Sequence, residues 1–192
     1  MPPRSEIEGS LYGAWRLVLR DPDSLNYFNI SADGFWRSFF AAAIVAPLFL
    51  ISSLLSLNFV ADQAAGTAPA FSFFALAFNF VVAWVGYVVL MFPVSRLLNL
   101  ESRYAAYVIV WNWTAVLQVA LLFVAALLRG SGLFSGGVGD VALIAAVLTS
   151  LYIAYLVART ALGCDIPVAI GLVIFENLLH LAIDRTGNAL FG

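Results

Sequence analysis

Five long apolar runs dominate the chain, at roughly Phe39–Val60, Phe71–Val94, Ala105–Leu128, Val141–Val157 and Ile166–Ile183. About 20 apolar residues suffice to carry an α-helix across the hydrocarbon core of a bilayer. The pattern predicts an all-α integral membrane protein: five transmembrane helices in one bundle. Ahead of them, Gly9–Arg20 sets Leu11, Trp15, Val18 and Leu19 on one helical face, with Arg16 and Arg20 away from Leu11 and Trp15. This reads as a short amphipathic N-terminal helix, either lying in the headgroup layer or capping the bundle. Asp21-Pro22-Asp23 stops it. Tyr27, Phe28, Phe35 and Trp36 then supply the aromatic belt expected just before a span. The expected organisation is a cytoplasmic N-terminal segment with the interfacial helix over 1–34, followed by the five-helix transmembrane domain over 35–192.

Composition agrees with this solvent. Of 192 residues, 63% are hydrophobic and 10% charged, against about 25% charged in soluble domains. The spans leave no room for a separate soluble domain. A net charge of −2 with no basic run gives no footprint for nucleic acid. The single cysteine, Cys164, excludes an internal disulfide and a multi-cysteine zinc site. No metal and no cofactor is implied.

All nine basic residues are arginines, and their distribution sets an orientation. Arg4, Arg16, Arg20 and Arg37 precede the first span, Arg96 and Arg103 flank the second loop, and Arg159 lies in the fourth. Only Arg129 and Arg185 fall on the opposite side. Arginine-rich loops stay cytoplasmic. The expected topology is therefore a multi-pass protein of the bacterial inner membrane, N-terminus cytoplasmic and C-terminus outside. No cleavable signal peptide is legible, so the first span is expected to remain as an anchor.

Within the spans, polar residues are few. Pro47 falls near the middle of the first, with Ser52, Ser53 and Ser56 beyond it as hydroxyls able to repair the lost backbone bond. Pro93 closes the second, and the short connector Ser95–Tyr104 makes the second and third spans antiparallel neighbours. Asp165 and Pro167 suit the N-cap and first turn of the fifth.

Glu176 is the one carboxylate deep inside a predicted span. A charge there costs about 2.5–3.5 kcal/mol on insertion scales, so it is expected to face protein or water. His180 and Asp184 follow at helical spacing on the same face. The ladder suits a proton or ion path, half of a metal site, or a span that ends near Glu176 and continues as a wet helix. Asn79, Asn112 and Gln118 read as interhelical glue; alternatively Asn112 and Gln118, with Glu176, line a polar cavity. Trp15, Arg16 and Arg20 are the candidates for contact with the interface or with lipid.

Gly137-Val138-Gly139-Asp140 spells the GxGD string found around one catalytic aspartate of intramembrane aspartyl proteases. That chemistry needs a second carboxylate a few ångströms away. Asp140 lies at the mouth of its span, where it suits an N-cap, and Asp62 and Asp184 are the only candidates on its side. No GxSxG, HExxH, P-loop or dinucleotide fingerprint occurs. The chain reads as a non-enzyme.

Two segments carry a resemblance. Leu11-Tyr12-Gly13, with Trp15 beyond, is similar to the Asp-Leu-Tyr-Gly-Pro segment of the Yip family, the Rab/Ypt-interacting membrane proteins; here Ser10 and Ala14 replace the Asp and Pro. Leu151-Tyr152-Ile153, Ala161-Leu162-Gly163 and Pro167-Val168-Ala169 resemble that family's passage from its fourth span to its fifth. The resemblance covers roughly Gly9 to Leu179 and implies five spans with a cytoplasmic N-terminus, in the family's uncharacterised bacterial branch. Its eukaryotic members have a longer N-terminal segment thought to engage GTPases, so no Rab partner is expected here.

Two functional classes follow. The first is a non-enzymatic protein of Yip-like type that organises membrane or binds a partner, the partners being the bilayer, another membrane protein or further copies of itself. The alternative is a small oligomeric transporter or channel-like protein using Glu176 and His180 in a polar intramembrane path. Inverted repeats, a common transporter device, are not evident.

Overall fold

The computed structural model describes residues 1–63, 73–130 and 137–191. Most of the Ala61–Ala70 connector and of the glycine-rich loop before the fourth span therefore lies outside the described residues. The described chain is helical with no strand. Helix α1 spans Arg4–Val18, α2 Ala32–Ser38, α3 Phe40–Gln63, α4 Phe73–Leu97, α5 Tyr104–Gly130, α6 Val138–Val157 and α7 Ile166–Phe191. Five described stretches are long and apolar enough to cross a membrane: Ala32–Leu55, Phe73–Leu97, Glu101–Gly130, Val138–Leu162 and Ile166–Phe191.

The helix ends follow local chemistry more closely than the apolar runs do. Ser31 caps α2 by accepting the Gly34 amide at 3.0 Å. The first membrane-length stretch thus begins ahead of Phe39. Pro93 does not end α4, which continues to Leu97. Close to the opening left by Pro93, the Tyr104 hydroxyl donates to the Val88 carbonyl at 2.8 Å. In α3, Ser52 donates to Leu48 O and Ser53 to Phe49 O, each back along its own helix; the Ser56 side chain lies outside the described residues. Asp165 caps α7 as the sequence suggests, accepting the Val168 amide at 3.1 Å, with Pro167 in the first turn. Asp140, by contrast, is not the cap of α6. Gly137, at φ 82°, holds that position, and Asp140 sits in the first turn, ion-paired with Arg129 at 2.7 Å.

Helix α5 is the axis of the bundle. Every residue from Tyr107 to Thr114 is buried. Half of its most apolar stretch is enclosed, against 17% for the first stretch and for α7. Helices α3 and α6 flank α5, and α7 lies mainly against α4. Helices α4 and α5 are joined by a short turn, yet their backbones rarely approach each other. Aromatic side chains fill the gap: Trp84 and Trp111 meet at 5.4 Å between ring centroids, and Tyr87 and Trp111 at 4.8 Å. Interaxial distance grows with the side chains at the contact, which is the effect seen here.

The outward faces are apolar, with Val81, Val85 and Val89 on α4, Ile144 and Leu148 on α6, and Ile170, Ile174, Leu178 and Leu181 on α7 all exposed. In water, such faces would leave large apolar patches unburied. Five helices of this kind are compatible with a polytopic membrane protein.

Helix α1 is docked on the bundle, lying against α5 and the 3₁₀ turn Ser24–Tyr27. Its buried face is Ser10, Gly13, Ala14 and Leu17. The sequence pattern had placed Leu11, Trp15, Val18 and Leu19 together on one apolar face; of these Trp15 is 53% exposed and Leu19 is exposed as well. Small residues win the inner face because the approach is close. A Cβ at Gly13 would meet Tyr27 Cβ at 2.8 Å. Glu6 and Arg37, 3.0 Å apart, tie α1 to α2.

Candidate functional site

Two groups of polar residues stand out, one inside the bundle and one at its arginine-rich end. In the interior, Asn112 on α5 is fully buried and ties three helices together. Its Oδ1 accepts the Trp84 indole N–H from α4 at 2.9 Å, and its Nδ2 donates to Ser38 Oγ at the end of α2 at 2.7 Å. Ser38 passes its own hydrogen to the Phe35 carbonyl at 2.7 Å. Both polar atoms of the Asn112 amide are engaged within the protein.

Glu176 on α7 accepts the Trp111 indole N–H from α5 at 2.7 Å. Helix α7 continues unbroken to Phe191, so Glu176 falls within a continuous helix rather than at its end. Asn112 points elsewhere, and Gln118, partly buried further along α5, is not hydrogen-bonded to Glu176. The cavity that would gather Asn112, Gln118 and Glu176 is therefore not assembled. Around Glu176 the chain places aromatics instead. Tyr87 and Tyr107 share a hydroxyl–hydroxyl hydrogen bond between α4 and α5. Tyr87 also lies 6.3 Å from the Phe175 ring and 6.4 Å from the His180 ring, centroid to centroid. Among the described residues, no three His, Cys, Asp or Glu side chains converge as a metal ion requires.

Asn79 on α4 is buried against α7, where its Oδ1 faces Gly187 and has no hydrogen-bond partner. Any Cβ at Gly187 would land on that oxygen. Such a contact fits a weak Cα–H···O interaction across a close helix crossing.

At the other site, the turns carrying the arginines meet. Arg103, before α5, lies against Gly163, between α6 and α7. Arg20 donates to the Tyr152 hydroxyl of α6, through Nε at 2.6 Å and through Nη2, and its guanidinium sits 5.4 Å from that ring. Arg16 is paired with Asp21 and lies over the Tyr12 ring at 5.8 Å. The Asp23 backbone amide, and then the Arg16 guanidinium, hold the Asp21 carboxyl below the usual carboxylate range. Helix α6 ends in a π turn, Ala158–Leu162, a conformation that is rare and often found at functional sites. Within it Arg159 donates to the Cys164 carbonyl. Cys164 is buried, its Sγ donating to Ala158 O at 3.4 Å, and burial pushes the thiol up. Outside this ring Tyr12, Trp15, Leu19 and Trp36 are exposed.

Sequence reading found Glu176, Asn112 and Arg20 but not Trp111, Trp84, Tyr152 or Arg159. The indoles carried a usable signal. A tryptophan N–H deep in an apolar span needs an acceptor, and Asn112 and Glu176 are acceptors within such spans. Compared with protein-family models, with curated proteins and with solved structures, the chain matches none.

Proposed function

We propose that the protein is a multi-pass protein of the bacterial inner membrane, N-terminus cytoplasmic, that organises lipid or a membrane partner through its arginine-rich end and carries out no catalysis. The Yip-like resemblance belongs to the same proposal. The observation that carries it is the docking of α1. Its small residues face α5, while Tyr12, Trp15 and Leu19 point outward beside Arg16 and Arg20. An apolar, aromatic and cationic rim of this kind suits an anionic membrane surface or the flank of another membrane protein. Trp15→Ala with Arg16→Gln is expected to reduce the anionic lipid or partner that copurifies with the full chain by about threefold, a fraction of a kcal/mol by affinity arithmetic. Unchanged copurification would sink the reading. Orientation is checked with single cysteines at Ser5 and Asn188 in a Cys164→Ser background. The first is expected to label only from the cytoplasmic side and the second only from outside.

The transporter alternative is disfavoured because Glu176 is engaged with Trp111 and is not joined to Asn112 or Gln118. Glu176→Gln keeps an acceptor oxygen for the Trp111 N–H. It is expected to leave both stability and proton flux of reconstituted liposomes unchanged. A flux present in the parent and lost in this variant would restore the transporter reading.

A further inference from the structure

A cleft of about 300 Å³ opens at the arginine-rich end, lined by Arg20, Asp21, Tyr152, Tyr155, Arg159 and Thr160 and floored by Leu156. Its position is set by two departures from ordinary helical backbone. One wall is the π turn that carries Arg159 and Thr160. The other is the end of α1, which closes in a Schellman motif. The Asp21 amide donates to Arg16 O at 3.0 Å and the Arg20 amide to Leu17 O at 2.9 Å. The residue between must be left-handed, and glycine is the usual occupant. Here Arg20 holds it, at φ 60°. An arginine in that conformation is strained, and the outcome is a guanidinium laid across Tyr152 at the cleft wall.

The donors outnumber what the protein itself consumes. A guanidinium has five N–H groups. Arg20 directs Nε and Nη2 to the Tyr152 oxygen, which leaves the Tyr152 hydrogen to be donated. Arg159 directs Nη1 to the Cys164 carbonyl. Tyr155 and Thr160, each bearing a hydroxyl, line the same space. The one carboxylate present, Asp21, is neutralised by Arg16 outside the lining. Two cations, three hydroxyls and an apolar floor form a site of the size at which small-ligand pockets begin, about 300 Å³. Planar guanidinium forks match phosphate oxygens bidentately.

We propose that the cleft between Arg20 and Arg159 binds a phosphate-bearing anion, with both guanidinium groups on the phosphate oxygens and the Tyr152, Tyr155 and Thr160 hydroxyls completing its hydrogen bonds. The site goes beyond the organising role and does not rest on Trp15, which is outside the cleft. A phosphate reaches it either as a lipid headgroup or from solution.

The test uses the full chain in phosphatidylcholine nanodiscs. Binding of inorganic phosphate and of glycerol 3-phosphate is titrated calorimetrically, and retention of phosphatidic acid added to the nanodisc is read by native mass spectrometry. Saturable binding is expected. Phosphatidic acid alone would identify a headgroup site, and the soluble probes a site for free phosphate. Arg20→Gly suits the left-handed backbone, so it is expected to keep or raise the melting temperature while weakening binding about tenfold. Arg159→Gln is expected to weaken it similarly, and Thr160→Met to block it with both arginines retained. Arg96→Gln, outside the cleft, is expected to bind as the parent does. No saturable binding of any probe, parent-like binding by Arg20→Gly and Thr160→Met, or an equal loss in Arg96→Gln would overturn the proposal.

Discussion

Replacing Asn112 with leucine is expected to lower the unfolding free energy of the protein in mixed micelles by about 2 kcal/mol. The estimate comes from what the side chain holds. Its two hydrogen bonds reach α4 through Trp84 and the end of α2 through Ser38. Single interhelical hydrogen bonds in membranes average about 0.6 kcal/mol and reach about 1.7, so the pair is worth about 1–3 kcal/mol. Leucine removes both acceptor and donor and strands the Trp84 N–H, which is buried with its ring. Its branched end must also enter a site with no free volume, since Asn112 is fully buried. Gln118→Leu is the matched control on the same helix, expected to change stability by less than about 0.5 kcal/mol. A double-mutant cycle with Trp84→Phe isolates the bond: the two changes are expected to be less than additive. If Asn112→Leu is as stable as the parent, the three-helix lock does not hold the bundle.

That lock also marks how far the sequence could be read. The five apolar helices are legible because hydrocarbon thickness imposes a length that no other element satisfies. Their ends are not legible in the same way, because apolarity marks the solvent while caps mark the helix. Ser31 starts α2 ahead of the first apolar run, and Pro93, a stop signal in water, lies within α4. In a bundle the freed carbonyl region is served by neighbours, as Tyr104 serves Val88. Helix α1 misled for a different reason. The large residues of an amphipathic helix usually face the core, but the close crossing at Tyr27 admits only Gly13 and its small neighbours. Tyr12, Trp15 and Leu19 are left on the outside, while Leu17 is buried one turn on.

The interior polar residues could be listed from the sequence, but not paired. Helical spacing places Glu176 and His180 on one face of α7. It carries no information on which face of α5 they meet. Glu176 meets Trp111, while Asn112, one residue on and therefore about a hundred degrees round the helix, faces Trp84 and Ser38. The cleft was still less legible. Arg20 and Arg159 are far apart in the chain, and each alone counts only toward an orientation rule. Their juxtaposition depends on a π turn and on a left-handed arginine. Neither has a clear sequence signal, since the glycine expected at the second is absent.

The close contact between α4 and α7 leads to the second large effect. Gly187→Leu is expected to destabilise the protein by about 2 kcal/mol, the middle of the range for overpacking a fitted interface. A Cβ at Gly187 would coincide with Asn79 Oδ1 and approach Phe78 Cδ1 at 3.1 Å, so either α7 moves away or Asn79 must turn. Helix propensity acts in the opposite direction. Removing a glycine from a helix interior favours the helix by roughly 1 kcal/mol, and Gly171 on the same helix measures that term alone, having nothing within 4 Å of its Cβ position. Gly171→Leu is therefore expected to be neutral or stabilising where Gly187→Leu is costly. The smaller change Gly187→Ala separates the contact from bulk. Combined with Asn79→Ala it is expected to recover most of the loss, because the atom it strikes is gone. Failure of Asn79→Ala to rescue Gly187→Ala would show that the clash does not limit α7. The consequence reaches Glu176, since α7 docks on α4 at Gly187 and on α5 through the Trp111 bond. Shifting α7 outward should loosen that bond, read as a change in tryptophan fluorescence in Gly187→Leu that Gly171→Leu does not show.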